Sequence, residues 1–378
     1  MSVKRAFSAV LAGGLVLALL TASSAQVDAR RLEEILKKEV LTPQDMEIID
    51  AFLNDAIGRL VRTTDFTEVA KTRAVILSRQ STQAQYAQRF SEAALKEIAA
   101  GFEYANGIAD ANRRFKVFTN LLILINELND PRLVDLAVRM IPQENSTVRY
   151  WAVRAATNPA VWDKLGQDAG AGQLAGRIIG ACGPVVQTSS PETLYLMAQF
   201  TGRYNTAAAD DLLVRVADVR IWSYAGWTVG YELADTAILK VLAAKITAGG
   251  TANPQLARQF AQLYSFAMQR FIRGVRGNVL SEVSRTYLAS VLVETEEQCI
   301  SKLLGTPQSQ IRRAVEAGDL DALQAEHDKL LGGANQAGAL PSRLNFAYGP
   351  TGNSRTPLAL PEPPPPKPTA ETKPAAQP

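Results

Sequence analysis

Between Met46 and Val61 apolar side chains recur at positions 49, 52, 53, 56, 57 and 60, the three-and-four spacing of an amphipathic helix. From Val27 to Leu331 the same rhythm holds almost throughout. Strand-like alternation is scarce, and no Asn-Gly or Asp-Gly turn separates two β-branched runs. Helix starts are marked in a recurring way. Thr42-Pro43, Asp130-Pro131, Asn158-Pro159, Ser190-Pro191, Asn253-Pro254 and Thr306-Pro307 each set a capping side chain just before a proline. The cap oxygen accepts an orphan backbone N–H, and the proline, which has none to offer, arrives with φ preset for a first turn. The pattern predicts an all-α fold.

Three of these marks are 28 and 32 residues apart (Pro131, Pro159, Pro191), which leaves room for two helices in each interval. Within the first interval, "DPRLVDLAVRMIPQENSTVRYWAVRAA" resembles a HEAT-like repeat. Asp130-Pro131 opens a first helix, and "VRYWAVRAA" is similar to the family's Val-Arg-bearing second helix. The resemblance implies that Val148, Ala152, Ala155 and Ala156 face the partner helix and that Arg149 sits at an edge near a carboxylate. The unit from Asn158 to Gly183 keeps the two-helix length without the Val-Arg signature, and beyond residue 190 only the rhythm remains. "AGDLDAL", with Asp319 as a helix cap, resembles the inner turn of an ankyrin repeat and reads as a terminal helical hairpin. The expected architecture is an α-solenoid of stacked antiparallel helix pairs. It has an N-terminal helical segment over 26–110 and the HEAT-like region over 111–332.

The two ends differ from this body. Residues 1–25 carry Lys4 and Arg5, then an apolar stretch, then small residues ending at Ala25, the order of a secretory signal peptide. The expected location is therefore exported, periplasmic or extracellular, with no membrane span after cleavage. Residues 333–378 pass through "GGANQAGAL" to "PLALPEPPPPKPTAETKPAAQP" and are expected to form a disordered tail with polyproline II character around Pro363–Pro366. Such a tail either is solvated or reaches a partner across the envelope.

Charge and chemistry narrow the function classes. Without residues 1–25, 38 basic side chains face 37 acidic ones, no lure for nucleic acid. His327 is the single histidine, set among Glu326, Asp328 and Lys329, and reads as a solvated side chain. Neither a paired-histidine metal site nor a GxSxG nucleophile elbow can be built, and no cofactor or metal is implied. "GAGQLAG" (170–176) lacks the preceding strand that a dinucleotide loop needs and reads as a flexible connection. Cys182 and Cys299 are either two separate buried thiols or, in an oxidising compartment, a disulfide. Glu294, Glu296 and Glu297 read as a solvated helix face rather than an acid/base cluster.

The candidate binding residues are aromatic and basic. On one helix Tyr224, Trp227 and Tyr231 would line a single face, either as a stacking strip or as core packing. Arg270, Arg273 and Arg276 form a short basic ridge, read either as an anion contact or as charges complementing a helix C-terminus. The leading expectation is an exported, non-catalytic scaffold or protein-binding protein of the cell envelope. The competing one is a polysaccharide-active enzyme, an α/α toroid with a carboxylate pair and the 224–231 aromatics as its sugar platform.

Overall fold

In the computed structural model of the chain, which describes residues 31–166, 169–248, 253–334, 336–349 and 352–363, five of the six cap–proline pairs open a helical turn. In all five the cap side chain accepts a backbone N–H: Thr42 from Asp45, Asp130 from Arg132, Asn158 from Ala160, Ser190 from Thr193, and Asn253 from both Gln255 and Leu256. The exception is Thr306-Pro307, which lies in an irregular stretch before a helix that begins at Gln310. All regular structure among the described residues is helical, apart from two isolated β-bridges. The expected signal peptide lies outside them.

The chain divides into two compact units at Gly166. The first holds α1 (Pro43–Arg62), α2 (Phe66–Ser78), α3 (Ala84–Asn106), α4 (Ala111–Leu128), α5 (Val134–Met140), α6 (Ser146–Ala156) and α7 (Pro159–Leu165). The consecutive pairs α1–α2, α3–α4, α4–α5 and α5–α6 pack together, and so do next-but-one pairs: α1 on α3, α2 on α4, α4 on α6. Buried Ile49, Leu53, Ile57 and Leu60 of α1 meet the Tyr86, Phe90, Ile98 and Phe102 face of α3. Gly101 allows that approach, since a Cβ there would stand 3.2 Å from Leu121 and 3.3 Å from Val61. Packing of α3 on α4 runs straight across the boundary expected at 110/111.

The α5–α6 hairpin buries Val148, Ala152, Ala155 and Ala156, the four side chains expected to face a partner helix. Arg149 departs from the expectation. It is buried rather than set at an edge, and its guanidinium donates to the Gln143 carbonyl at 2.9 Å.

The second unit comprises α8 (Ala169–Cys182), a 3₁₀ turn (Gly183–Thr188), α9 (Pro191–Thr201), α10 (Ala207–Ala225), α11 (Leu233–Ala248), α12 (Pro254–Arg276), α13 (Glu282–Thr295), a π turn (Glu296–Ile300) running into α14 (Ser301–Leu304), α15 (Gln310–Ala317), α16 (Leu320–Leu331) and α17 (Ala339–Leu344). Helix α12 is the hub and packs against α10, α11, α13, α16 and α17. Every residue from Phe260 to Ile272 is buried. "GAGQLAG" is helical, inside α8, and is not a connection. With nothing near the position where a Cβ would project at Gly170, Gly172 or Gly176, these glycines need no loop conformation. The hairpin expected near the end is present as α15 and α16, joined by left-handed Gly318 and capped by Asp319.

The acidic run 294–297 is not a solvated face. Glu294 pairs with Lys240 and Glu297 with Arg312, but Glu296 is fully buried in the π turn. Its two carboxylate oxygens accept the Ile311 and Arg312 N–H groups, each at 2.8 Å, so it caps α15 from 15 residues away. The π turn supplies the register offset that aims it there.

Replacing this carboxylate by an amide puts a donor against two helix N–H groups. Glu296→Gln is expected to cost about 2 kcal/mol, the order seen when buried donors lose a charged acceptor. Thr306→Ala is expected to stay within about 0.5 kcal/mol, as at other exposed positions. Denaturant midpoints of the two variants check this, and equal effects would remove the capping role from Glu296.

Candidate peptide-binding site

Arg258, Gln262, Ser265, Gln269 and Arg273 succeed one another at three- and four-residue spacing, so they share one face of α12. A polar stripe in such buried surroundings needs hydrogen-bond partners. The C-terminal segment supplies them. After α17, Asn345 turns the chain in the left-handed region. Tyr348, fully buried, donates its hydroxyl to the Leu331 carbonyl at 2.8 Å and packs edge-on against Phe346. Residues 352–363 then run along the α12 stripe.

The grip is on backbone. Arg258 donates to the Ala347 carbonyl at 2.9 Å. Gln262 accepts the Leu358 N–H at 2.9 Å and donates to its carbonyl at 3.4 Å. Gln269 donates to the Leu358 carbonyl at 3.0 Å and accepts the Leu360 N–H at 2.7 Å. Arg273 donates to the Leu360 carbonyl and pairs with Glu362 at 3.2 Å. Trp227 Nε1 donates to the Pro361 carbonyl at 2.9 Å. Pro357 and Pro361 restrict the residues before them to extended backbone, which leaves these peptide groups open to side-chain amides. The tail therefore does not detach at residue 333: Leu340, Leu344, Phe346, Tyr348 and Leu360 are buried, and the expected disorder concerns at most residues 364–378, which lie outside the described residues.

Opposite the segment lies the loop between α10 and α11. Helix α10 ends at Ala225, so Tyr224, Trp227 and Tyr231 do not share a helical face. Trp227 and Tyr231 both sit in the left-handed region, at φ 55° and 52°, costly for aromatic side chains. Tyr224 is buried, with its hydroxyl on Asp235 Oδ2 at 2.8 Å, while Tyr231 is 48% exposed. A buried ion pair holds the loop: Arg220 meets Asp235 at 2.6 and 2.9 Å and donates to the Gly230 carbonyl at 3.1 Å. Burial opposes the Arg220 charge, but Asp235 outweighs it and raises the guanidinium pKa; burial foremost raises that of Tyr224.

The three arginines part ways. Arg276 bonds Asp321 of α16 at the surface, and Arg273 reaches the C-terminal strap, residues 352–363. Arg270 is 7% exposed, and its Nε and Nη1 have no hydrogen-bond partner. Its guanidinium carbon lies 5.1 Å from the centre of the Trp227 ring and 6.0 Å from that of Tyr224. Burial pushes its pKa down. The structure thus brings Tyr224, Trp227, Arg270 and Arg273 together and leaves Tyr231 and Arg276 outside. Gln262 and Gln269 carry no sequence signal of their own on this helix.

His327 is buried, not solvated. Its Nδ1 lies 2.9 Å from Asp328 Oδ1 and its Nε2 lies 2.8 Å from Ser265 Oγ, which also accepts from Gln269 at 2.9 Å. This line of serine, histidine and aspartate is not a nucleophile site as it stands. Ser265 is fully buried in the middle of a helix, where backbone N–H groups are spent on the helix itself and offer no oxyanion donors. The line connects the strap to the histidine through Gln269. Cys182 and Cys299 are free buried thiols, not a disulfide, and burial pushes them up to about 12 and about 11. Among the described residues no group of three metal-ligating side chains converges, and no helix is long and apolar enough to cross a membrane.

Comparison with models of known protein families, with curated proteins and with solved structures gives no match.

Burial lowers the His327 pKa, although Asp328 beside it acts the other way. The unfolded chain, titrating near ~6.5, takes up the proton first as pH falls. Stability is thus expected to be flat above that value and to decline below it, until the depressed folded pKa is reached. Between pH 7.5 and 5, wild-type urea midpoints should fall more than those of His327→Gln. Parallel profiles would overturn the assignment.

Proposed function

We propose that the chain is an exported, non-catalytic scaffold or protein-binding protein of a cell envelope, and that its helices stack as solenoid pairs, HEAT-like over residues 130–156. Support for the stacking comes from the next-but-one packing within each unit and from the small-residue face of α6. Support for export comes from residues 1–25 of the sequence. The observation that carries the binding role is the Gln262–Gln269 clamp, in which two side-chain amides hold the backbone of an extended segment at three peptide groups. A surface of this kind recognises chains rather than performing chemistry, although architecture alone does not fix a role.

One observation favours the polysaccharide reading. Trp222 is 75% exposed beside an opening of about 780 Å³ that Asp218 and Arg215 also line. Burial raises the Asp218 pKa. Asp218 is the one carboxylate there, however, whereas acid/base glycoside hydrolysis needs two. The rings proposed as a platform are elsewhere: Tyr224 is buried and Trp227 holds Pro361.

The test is recovery of a partner from the envelope fraction by the immobilised chain. A Gln262→Ala, Gln269→Ala variant with an unchanged circular dichroism spectrum should recover less than about a tenth as much, as expected when central buried contacts are truncated. Equal recovery, or turnover of a polysaccharide by the purified protein, would overturn the reading.

A further inference from the structure

The segment that covers α12 is held unevenly. Its first part is anchored, with Leu340 and Tyr348 fully buried and the Tyr348 hydroxyl on Leu331. Its last part is held differently. Leu358 is 55% exposed, the Glu362 side chain is 87% exposed, and the grip from 358 to 362 comes mainly from side chains on backbone groups. Only Leu360, at 1% exposure, is seated. Residues 357–362 therefore form a latch on an anchor, bound as a peptide would be bound.

Two further features set this groove apart from ordinary packing. Arg270 is a buried cation whose Nε and Nη1 lack hydrogen-bond partners, stacked on the same Trp227 that holds Pro361. Trp227 itself is strained in the left-handed region, and strain of that kind gathers where ligands are clamped.

We infer that this face of α12 is a ligand site for extended protein segments of pattern x-x-Leu-Pro-acidic, and that residues 358–362 occupy it as a built-in competitor. The inference rests on the reading of the chain as a binding protein and gives that reading a ligand class. The register follows from the contacts. Gln262 and Gln269 take the N–H and carbonyl at the position of Leu358, and Gln269 takes the N–H at that of Leu360. The leucine at the latter position fills the seat. Proline removes an N–H that would go unanswered and presets the backbone whose carbonyl accepts the Trp227 Nε1–H. The acid meets Arg273.

A tethered competitor acts at an effective concentration in the millimolar range, so an incoming segment sees only the fraction of molecules whose latch is open. Weakening the latch without touching the groove should therefore tighten binding in trans. The probe is a labelled peptide of residues 355–364, titrated against the full chain by fluorescence anisotropy. Relative to wild type, Glu362→Lys is expected to bind it about three-fold more tightly, as loss of an exposed ion pair implies. Leu360→Ser is expected to bind it more than ~10-fold more tightly, through loss of a buried leucine. In the Leu360→Ser chain, whose latch competes least, Trp227→Phe, which keeps an aromatic ring and loses the donor, should weaken the peptide. Arg273→Glu should weaken it too, and a peptide with lysine at the Glu362 position should restore that loss.

Failure of the peptide to bind a folded Leu360→Ser or Glu362→Lys chain at millimolar concentration would overturn the site. So would binding indifferent to Trp227→Phe and Arg273→Glu. A concentration-dependent dimer of the wild-type chain that the peptide dissolves would assign the groove to a second copy and overturn the partner. Peptide results as expected, with no α12-dependent partner in the envelope fraction, would leave the site standing and remove the scaffold role.

Discussion

The second unit is organised by one constraint: α12 is buried on all sides from Phe260 to Ile272, and yet carries Gln262, Ser265, Gln269 and Arg270 within that stretch. Buried amides and hydroxyls without partners cost on the order of 1–3 kcal/mol each. The apolar helices around α12 have spent their own backbone groups internally and cannot answer the stripe. A chain segment with free peptide groups can, and an extended one offers them at a spacing that two glutamines seven residues apart can reach. The packing of residues 345–349 and 352–363 on α12 follows from this need as much as from Leu360 and Tyr348.

The same logic explains the loop that faces the strap. Trp227 and Tyr231 are held in a backbone region that aromatic residues avoid, and the Arg220–Asp235 pair with its bond to Gly230 is the group that can hold them there. An ion pair this deep is weak evidence for net stability, because desolvation offsets much of the attraction. Its geometric effect is clearer. It fixes the chain between α10 and α11 so that the Trp227 N–H points at a carbonyl of the strap and its ring lies against Arg270. Stability set aside in one place appears as a positioned donor in another.

What was legible in the sequence was local. Cap and proline adjacent in the chain decide a first turn between them, so Thr42-Pro43 and Asn253-Pro254 read correctly, as did the hydrophobic spacing of α1 and the Asp319 turn. Thr306-Pro307 has the same local chemistry, but the next helix takes its cap from Glu296, 15 residues earlier and outside any local window. Glu296 and His327 looked solvated because their sequence neighbours are charged, while their partners come from α15 and α12. The strip expected at 224–231 assumes a helix continuing past Gly226, and the expected disorder rests on the prolines, although four well-spaced apolar residues, Leu340, Leu344, Phe346 and Tyr348, anchor the first half of the tail. The groove was half visible: Trp227, Arg270 and Arg273 stood out as side-chain types, but glutamines that read backbone carry no such mark.

A groove of this chemistry differs from an apolar one in how it can be vacated. An apolar cleft left empty exposes greasy surface and collapses or aggregates. The α12 stripe left empty exposes amides and a guanidinium, which water satisfies at small cost, so the open state is accessible without unfolding the hub. The cost of opening falls mostly on Leu360, the one seated side chain, and on the lost order of the bonds made by Gln262 and Gln269. Because those bonds go to peptide groups that every chain carries, an incoming segment with a leucine, a proline and an acid in the same register can replace them bond for bond. Exchange, rather than creation of a new surface, is then the low-energy route by which another protein reaches this face, and it leaves the anchor at Tyr348 and the packing around α12 untouched.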